Sequence, residues 1–112
     1  MTRKLNFIRL ALLASFLLGT SAFGAEKELT LVIKDHQFTP SELRVPAGQK
    51  VKIIIDNQDA TPEEFESHDL NREKVIAAKS KASLFIGPLK AGRYTFVGEF
   101  HEATAKGVVI AE

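Results

Sequence analysis

The sequence of 112 residues has no cysteine, and its single methionine is the first residue. The absence of cysteine excludes disulfides, thiolate metal sites and thiol nucleophiles, so the fold must hold by packing alone. There is no glycine-rich phosphate loop and no nucleophile elbow around any serine. Neither sign of charge dominates. The 15 basic and 14 acidic residues give +1 with neutral histidines, which offers no electrostatic footing for nucleic acid. Nothing repeats at a fixed period and no helical stripe is sustained. The lysines at 34, 50, 52, 79, 81 and 90 read as a solvated surface.

What is present divides into a leader and one domain. Arg3, Lys4 and Arg9 precede the apolar run Leu10 to Leu18, and Ala22-Phe23-Gly24 supplies small residues at the two positions a signal peptidase reads. This is the pattern of a secretory signal peptide, expected over residues 1–24. The apolar run is shorter than a membrane span requires, so no stable span is expected after cleavage. The remainder, residues 25–112, is about 88 residues, enough for one modest core. Its charge is −2, with 12 basic residues against 14 acids, because three basic residues and no acids lie in the leader. The domain is therefore expected to be exported.

The domain reads as all-β. Leu29 to Ile33, Leu43 to Val45, Val51 to Ile55, Val75 to Ala78, Ser83 to Ile86, Arg93 to Val97 and Val108 to Ile110 are short β-branched or alternating runs. Turn signals such as Pro46-Ala47-Gly48, Gly87-Pro88 and Ala91-Gly92 separate them. Such spacing indicates a sandwich or barrel. Alternation puts Leu29, Leu31 and Ile33 on one face, Ile53 and Ile55 on one, and Tyr94 and Phe96 on one. Pro62-Glu63-Glu64 has the composition of a helix start, so a helical turn is expected from Pro62 to Phe65.

Three stretches taken in order resemble the cupredoxin superfamily: Ile33 to Asn57, Pro62 to Leu70 and Ala91 to Gly107. The resemblance spans nearly all of the domain. It implies a cupredoxin-like Greek-key β-sandwich of about seven to eight strands. Against the copper pattern of that family, Gly98 stands at the cysteine, His101 at the carboxy-terminal histidine, and Ala105 near the methionine. Glu63 or Glu64 stands at the first histidine. A blue copper site depends on a thiolate between two imidazoles, so type 1 blue copper is not expected. The Glu64-Phe65-Glu66 segment is similar to that of EfeO-type cupredoxin-like domains of bacterial iron uptake, and of the small exported partners of Ftr-type iron permeases. The resemblance implies a periplasmic protein handling an iron or copper ion beside an iron permease or another periplasmic iron-uptake component. EfeO domains carry cysteines where this chain has Phe38 and Gly98, so their metal preference does not carry over.

In a cupredoxin sandwich, the end of the first strand, the loop after the third and the closing loop meet at one pole. This gathers His36, then Glu63, Glu64, Glu66 and His68, then Glu99, His101 and Glu102. The candidate metal ligands are therefore His101, His36, Glu64, Glu66, His68, Glu63 and Glu102. Imidazole and carboxylate suit iron, copper(II), zinc and manganese better than copper(I). Each candidate also has a plain reading: an exposed histidine, a turn cap at His68, or a solvated acid. Three functions stay open: a metal-binding protein of iron acquisition, a metal-free interaction module docking on a periplasmic or membrane partner, and a small ferroxidase-like oxidase. No enzymatic activity is expected.

Overall fold

The computed structural model describes residues 27–112. The expected signal peptide, residues 1–24, lies outside the described residues. The strands are β1 Lys27–Lys34, β2 Gln37–Thr39, β3 Glu42–Val45, β4 Val51–Asn57, β5 Glu63–Ser67, β6 Arg72–Ile76, β7 Ser80–Ile86, β8 Gly92–Gly98 and β9 Lys106–Ala111. A single turn of 3-10 helix, Glu99–His101, separates β8 from β9. Two sheets form, in the orders β2-β1-β4-β7 and β3-β9-β8-β5-β6. β1 runs parallel to β4, and β3 parallel to β9; the other pairs are antiparallel.

The all-β sandwich is as the sequence suggests, but among the described residues it has nine strands and not seven or eight. One of the extra strands is β2, three residues that pair with β1 in a hairpin and bury Phe38. It stops at Pro40, which has no N–H to continue the ladder. The other is β5, which occupies the place expected for a helical turn. That expectation is corrected: Glu63, Phe65 and Ser67 alternate inward and are buried, while Glu64 and Glu66 face out. A period of two puts the only large apolar residue of this segment into the core, and a helical turn would leave its ladder partners unpaired.

The core lies between the sheets. Leu31, Ile33, Ile53, Ile55 and Ile86 from the first sheet meet Val45, Phe65, Phe96 and Val109 from the second. Phe38, Phe65 and Phe96 form its aromatic centre, with ring centroids 5.0 to 6.2 Å apart. Burying each of these rings contributes about 1.5–3 kcal/mol. Gly107 lies against the Phe96 ring so closely that any β-carbon there would collide with it.

This packing fixes the ends of the strands. Asn57, at the end of β4, is fully buried, and its Nδ2 donates to the carbonyls of Thr61, Ile76 and Ala77 at 2.9, 3.2 and 3.2 Å. The chain then crosses to the second sheet. The N–H of Gln58 donates to Ile33 O, which ties that crossing to the end of β1. The closing loop folds back on itself: Gly98 N donates to Ala105 O, and Ala105 N donates to His101 O, both at 2.8 Å.

Candidate functional site

Three segments meet at one end of the sandwich: the β1–β2 turn, the β4–β5 crossing and the loop between β8 and β9. Glu63 opens β5 on its inward face and is 1% exposed. Burying a carboxylate without partners is costly, and Glu63 has three. Its Oε1 accepts the N–H of Glu64 at 2.9 Å and that of Phe100 at 2.8 Å. Its Oε2 lies 2.6 Å from His101 Nδ1. A carboxylate facing two backbone N–H donors and an imidazole nitrogen acts as the acceptor for all three. The proton therefore sits on Nδ1, and Nε2 is the other nitrogen of the ring. Nε2 has no hydrogen bond to another described residue. The His36 ring stacks on the His101 ring, with centroids 3.6 Å apart and planes 13° apart. His36 Nε2 is 3.5 Å from Thr61 Oγ1.

The room for the Glu63 carboxylate comes from Gly98. A β-carbon built on Gly98 would stand 2.7 Å from Glu63 Cδ, 2.9 Å from its Oε2 and 2.7 Å from Ala105 Cβ. Ala105 is fully buried. Positions 63, 98, 101 and 105 thus converge, and a carboxylate fills the space among them.

A family model for the cupredoxin-like domain matches residues 7–111. The chain belongs to the cupredoxin-like domain family. This cupredoxin-like chain is 46% identical over 83 residues to the protein RP394 of Rickettsia prowazekii (strain Madrid E). That match covers 74% of this chain and 66% of the relative, so the cupredoxin-like chain spans about two thirds of the relative's length. Among solved structures it is similar to auracyanin A, a "blue" copper protein of Chloroflexus aurantiacus. The TM-score is 0.67 and the identity 15%, over 79% of this chain and 100% of that one. It is also similar to amicyanin from Paracoccus versutus, with TM-score 0.59 and 16% identity over 81% and 87% of the two chains. At such identities the likeness is one of fold.

A type 1 copper centre does not fit this cupredoxin-like pole. No cysteine exists to supply the thiolate. Gly98, where the family resemblance puts the thiolate, has no room for a side chain: a β-carbon there would meet the Glu63 carboxylate at less than a normal contact distance. His101 holds Glu63 and stacks on His36, which puts two imidazoles beside one buried carboxylate; among the described residues the carboxylates whose oxygens converge as a metal-ligand group are those of Glu64, Glu73 and Glu99.

The remaining candidates lie elsewhere. Glu64 and Glu66 point out from the opposite face of β5. There the oxygens of Glu64, Glu73 and Glu99 lie within 4.8 Å of one another, and Glu66 sits directly across from Glu73. Like charges so placed raise each other's proton affinity. A hydrogen bond with Glu99, loss of water, and the charges of Glu99 and Glu73 push the Glu64 carboxyl up to about 7. Glu66 is pushed up too, by loss of water first and then by Glu99 and Glu73, with the charge of His68 opposing. Glu102 is exposed beyond the 3-10 turn. His68 does not join the pole, contrary to expectation. It is exposed past the far end of β5, beside a polar cavity of about 360 Å³ lined by Glu66, Ser67, His68, Asn71, Arg72 and Glu73. The rest of β5 separates it from Glu63.

The sequence reading missed Asp59. Its two carboxylate oxygens accept the N–H groups of Asp35 and His36, at 2.7 and 3.0 Å. Loss of water raises its pKa, but these two bonds and the charges of His36 and Lys79 outweigh that and hold it below the ordinary value. No local motif signals this contact, which spans more than twenty positions.

Proposed function

We propose that this is an exported cupredoxin-like protein that binds an iron- or copper(II)-class ion through imidazole and carboxylate groups and serves iron acquisition. The observation that carries the reading is the stacked His36–His101 pair, with His101 held by the buried carboxylate of Glu63. A histidine that ligates a metal through one ring nitrogen commonly donates its other N–H to a carboxylate, which fixes the tautomer and raises its basicity. Glu63 stands in that relation to His101. It leaves Nε2 as the donor to an ion, with His36 beside it. A bound ion would supply Lewis-acid or one-electron chemistry; the chain's part is to present the two rings and to orient one of them. Such a site has few protein ligands and suits a carrier that releases its cargo. The Glu64-Phe65-Glu66 resemblance to EfeO-type domains supports a place beside an iron permease, with the periplasm as the compartment.

The test is titration of the metal-free protein with copper(II), iron(II) and manganese(II) by calorimetry. At least one ion binds with an affinity that His101→Ala lowers by a factor of about 10–100. No binding by any of the three would overturn the reading. It would favour a second one, a module that docks on a periplasmic or membrane partner without metal. One observation favours that second reading: no buried side-chain polar atom among the described residues lacks a partner, so the interior of the pole holds no donor left over for an ion. Oxygen uptake on addition of iron(II) separates a carrier from a ferroxidase-like oxidase.

A further inference from the structure

Asp35 and His36 are the two central residues of the turn joining β1 to β2, and both have left-handed φ values, 52° and 58°. Positive φ at both centres is the type I′ pattern, which favours Asn-Gly. Glycine meets no β-carbon clash there; histidine does. An imidazole is thus carried at a position where the backbone disfavours it. The clamp on this turn is Asp59, which accepts both turn N–H groups, one on each carboxylate oxygen.

Asp59 is itself fixed. Its N–H donates to Asn57 Oδ1 at 3.0 Å, and its carbonyl accepts the N–H of Lys79 at 3.0 Å. Asn57 is locked by its three carbonyl contacts in the interior. The chain of contacts therefore runs from the core through Asn57 and Asp59 to the backbone of His36. From its ring the chain continues to His101 and Glu63.

We infer that Asp59 is a positioning residue for the imidazole pair: by clamping the N–H groups of Asp35 and His36 it holds the left-handed turn that lays the His36 ring on His101. The inference rests on the reading of that pair as the functional site, and Asp59 acts on it only through the backbone of His36. The full clamp uses both oxygens, and a carboxamide would present an N–H to one of the two donors and keep only half of it.

The experiment is NMR of the isotope-labelled, metal-free protein, followed by copper(II) titration. In the wild type, ring protons of His36 and His101 show mutual NOEs, and the amides of Asp35 and His36 exchange slowly. In Asp59→Ala the resonances of Phe96 and Val109 stay in place while the ring NOEs disappear, and copper(II) affinity falls about tenfold. Asp59→Asn, which keeps one acceptor, falls between the two. Wild-type NOEs in a folded Asp59→Ala protein would overturn the inference. Should that variant not fold, Asp59→Asn and the wild-type amide exchange decide: full NOEs in the former, or unprotected amides in the latter, overturn it equally. Loss of the NOEs together with a wild type that takes up no copper(II) supports the role of Asp59 and refutes the metal reading.

Discussion

The imidazoles of His36 and His101 lie face to face with centroids 3.6 Å apart, one carried by the first hairpin and the other by the closing loop. Each is held differently. His101 is fixed by its side chain, through Nδ1 to the buried carboxylate of Glu63. His36 is fixed by its backbone, through its N–H to Asp59.

Replacing His36 with glycine separates function from stability. The left-handed φ of 58° costs a residue with a β-carbon about 1–2 kcal/mol. Glycine removes that cost but loses about 0.5–1 kcal/mol through its freer unfolded chain. The lost ring stack is worth about 0.5–1.5 kcal/mol. These terms nearly cancel, so His36→Gly leaves the thermal midpoint within a few degrees of wild type. Copper(II) affinity measured by calorimetry falls about tenfold or more. A large drop in midpoint would instead make the ring a structural element.

Gly98 is the residue that admits the Glu63 carboxylate. The β-carbon of Gly98→Ala meets Glu63 Cδ and Ala105 Cβ at 2.7 Å. The variant loses about 1–3 kcal/mol in denaturant unfolding, and its Glu63–His101 contact loosens, visible as a shift of the His101 ring signals. Gly98→Cys with copper(II) gives no intense blue band, because the first histidine and the methionine of such a centre are also missing. A strong blue band would contradict this account of the pole.

Removing the carboxylate of Glu63 strands the N–H groups of Glu64 and Phe100 and the Nδ1–H of His101. Glu63→Ala leaves these donors unsatisfied, at about 1–3 kcal/mol for each one that water cannot reach. Glu63→Gln keeps one carbonyl oxygen and costs less. Urea unfolding of both variants measures the difference. Equal losses would mean that the charge, and not the acceptor count, sets the stability.

The outer carboxylates predict a pH effect of definite sign. Glu64 is pushed up to about 7 from 4.5, chiefly by its hydrogen bond with Glu99. A folded state that holds a proton more tightly than the unfolded chain is favoured at low pH. The contribution is complete below pH 4.5 and is lost as pH rises toward and through 7. Glu64→Gln removes the repulsion, so it raises the thermal midpoint at pH 8 and leaves it nearly unchanged at pH 4. An equal shift at both values would show that the cluster does not share a proton.

Much of the fold was legible in alternation. Period two sets Leu29, Leu31, Ile33, Ile53, Ile55, Tyr94 and Phe96 on the core faces of their strands; all are buried except Leu29 and Tyr94, which are half-buried against the core. The meeting of His36 and His101 followed from where a sandwich of this family brings its strand ends. Glu64 and Glu66 flank a buried Phe65, a period of two that is visible only once the segment is taken as a strand. The strand nature of β5 was hidden, because Pro62-Glu63-Glu64 has the composition of a helix start. What makes it a strand is its pairing with β6 and with the distant β8, and that second partner is contained in no local pattern. His68 was expected at the pole because it is close to Glu63 in sequence. A rise of about 3.3 Å per residue along β5 carries it away. Asp59 was missed for a similar reason: its role lies in two backbone N–H groups of a distant turn.

The most direct test is electron paramagnetic resonance of the protein loaded with one equivalent of copper(II), compared across wild type, His101→Ala and His36→Gly. The account predicts an ordinary, weakly coloured copper(II) signal with imidazole nitrogen coupling in the wild type, lost in His101→Ala and altered in His36→Gly. A wild-type spectrum without imidazole coupling, or one unchanged by both substitutions, would contradict it.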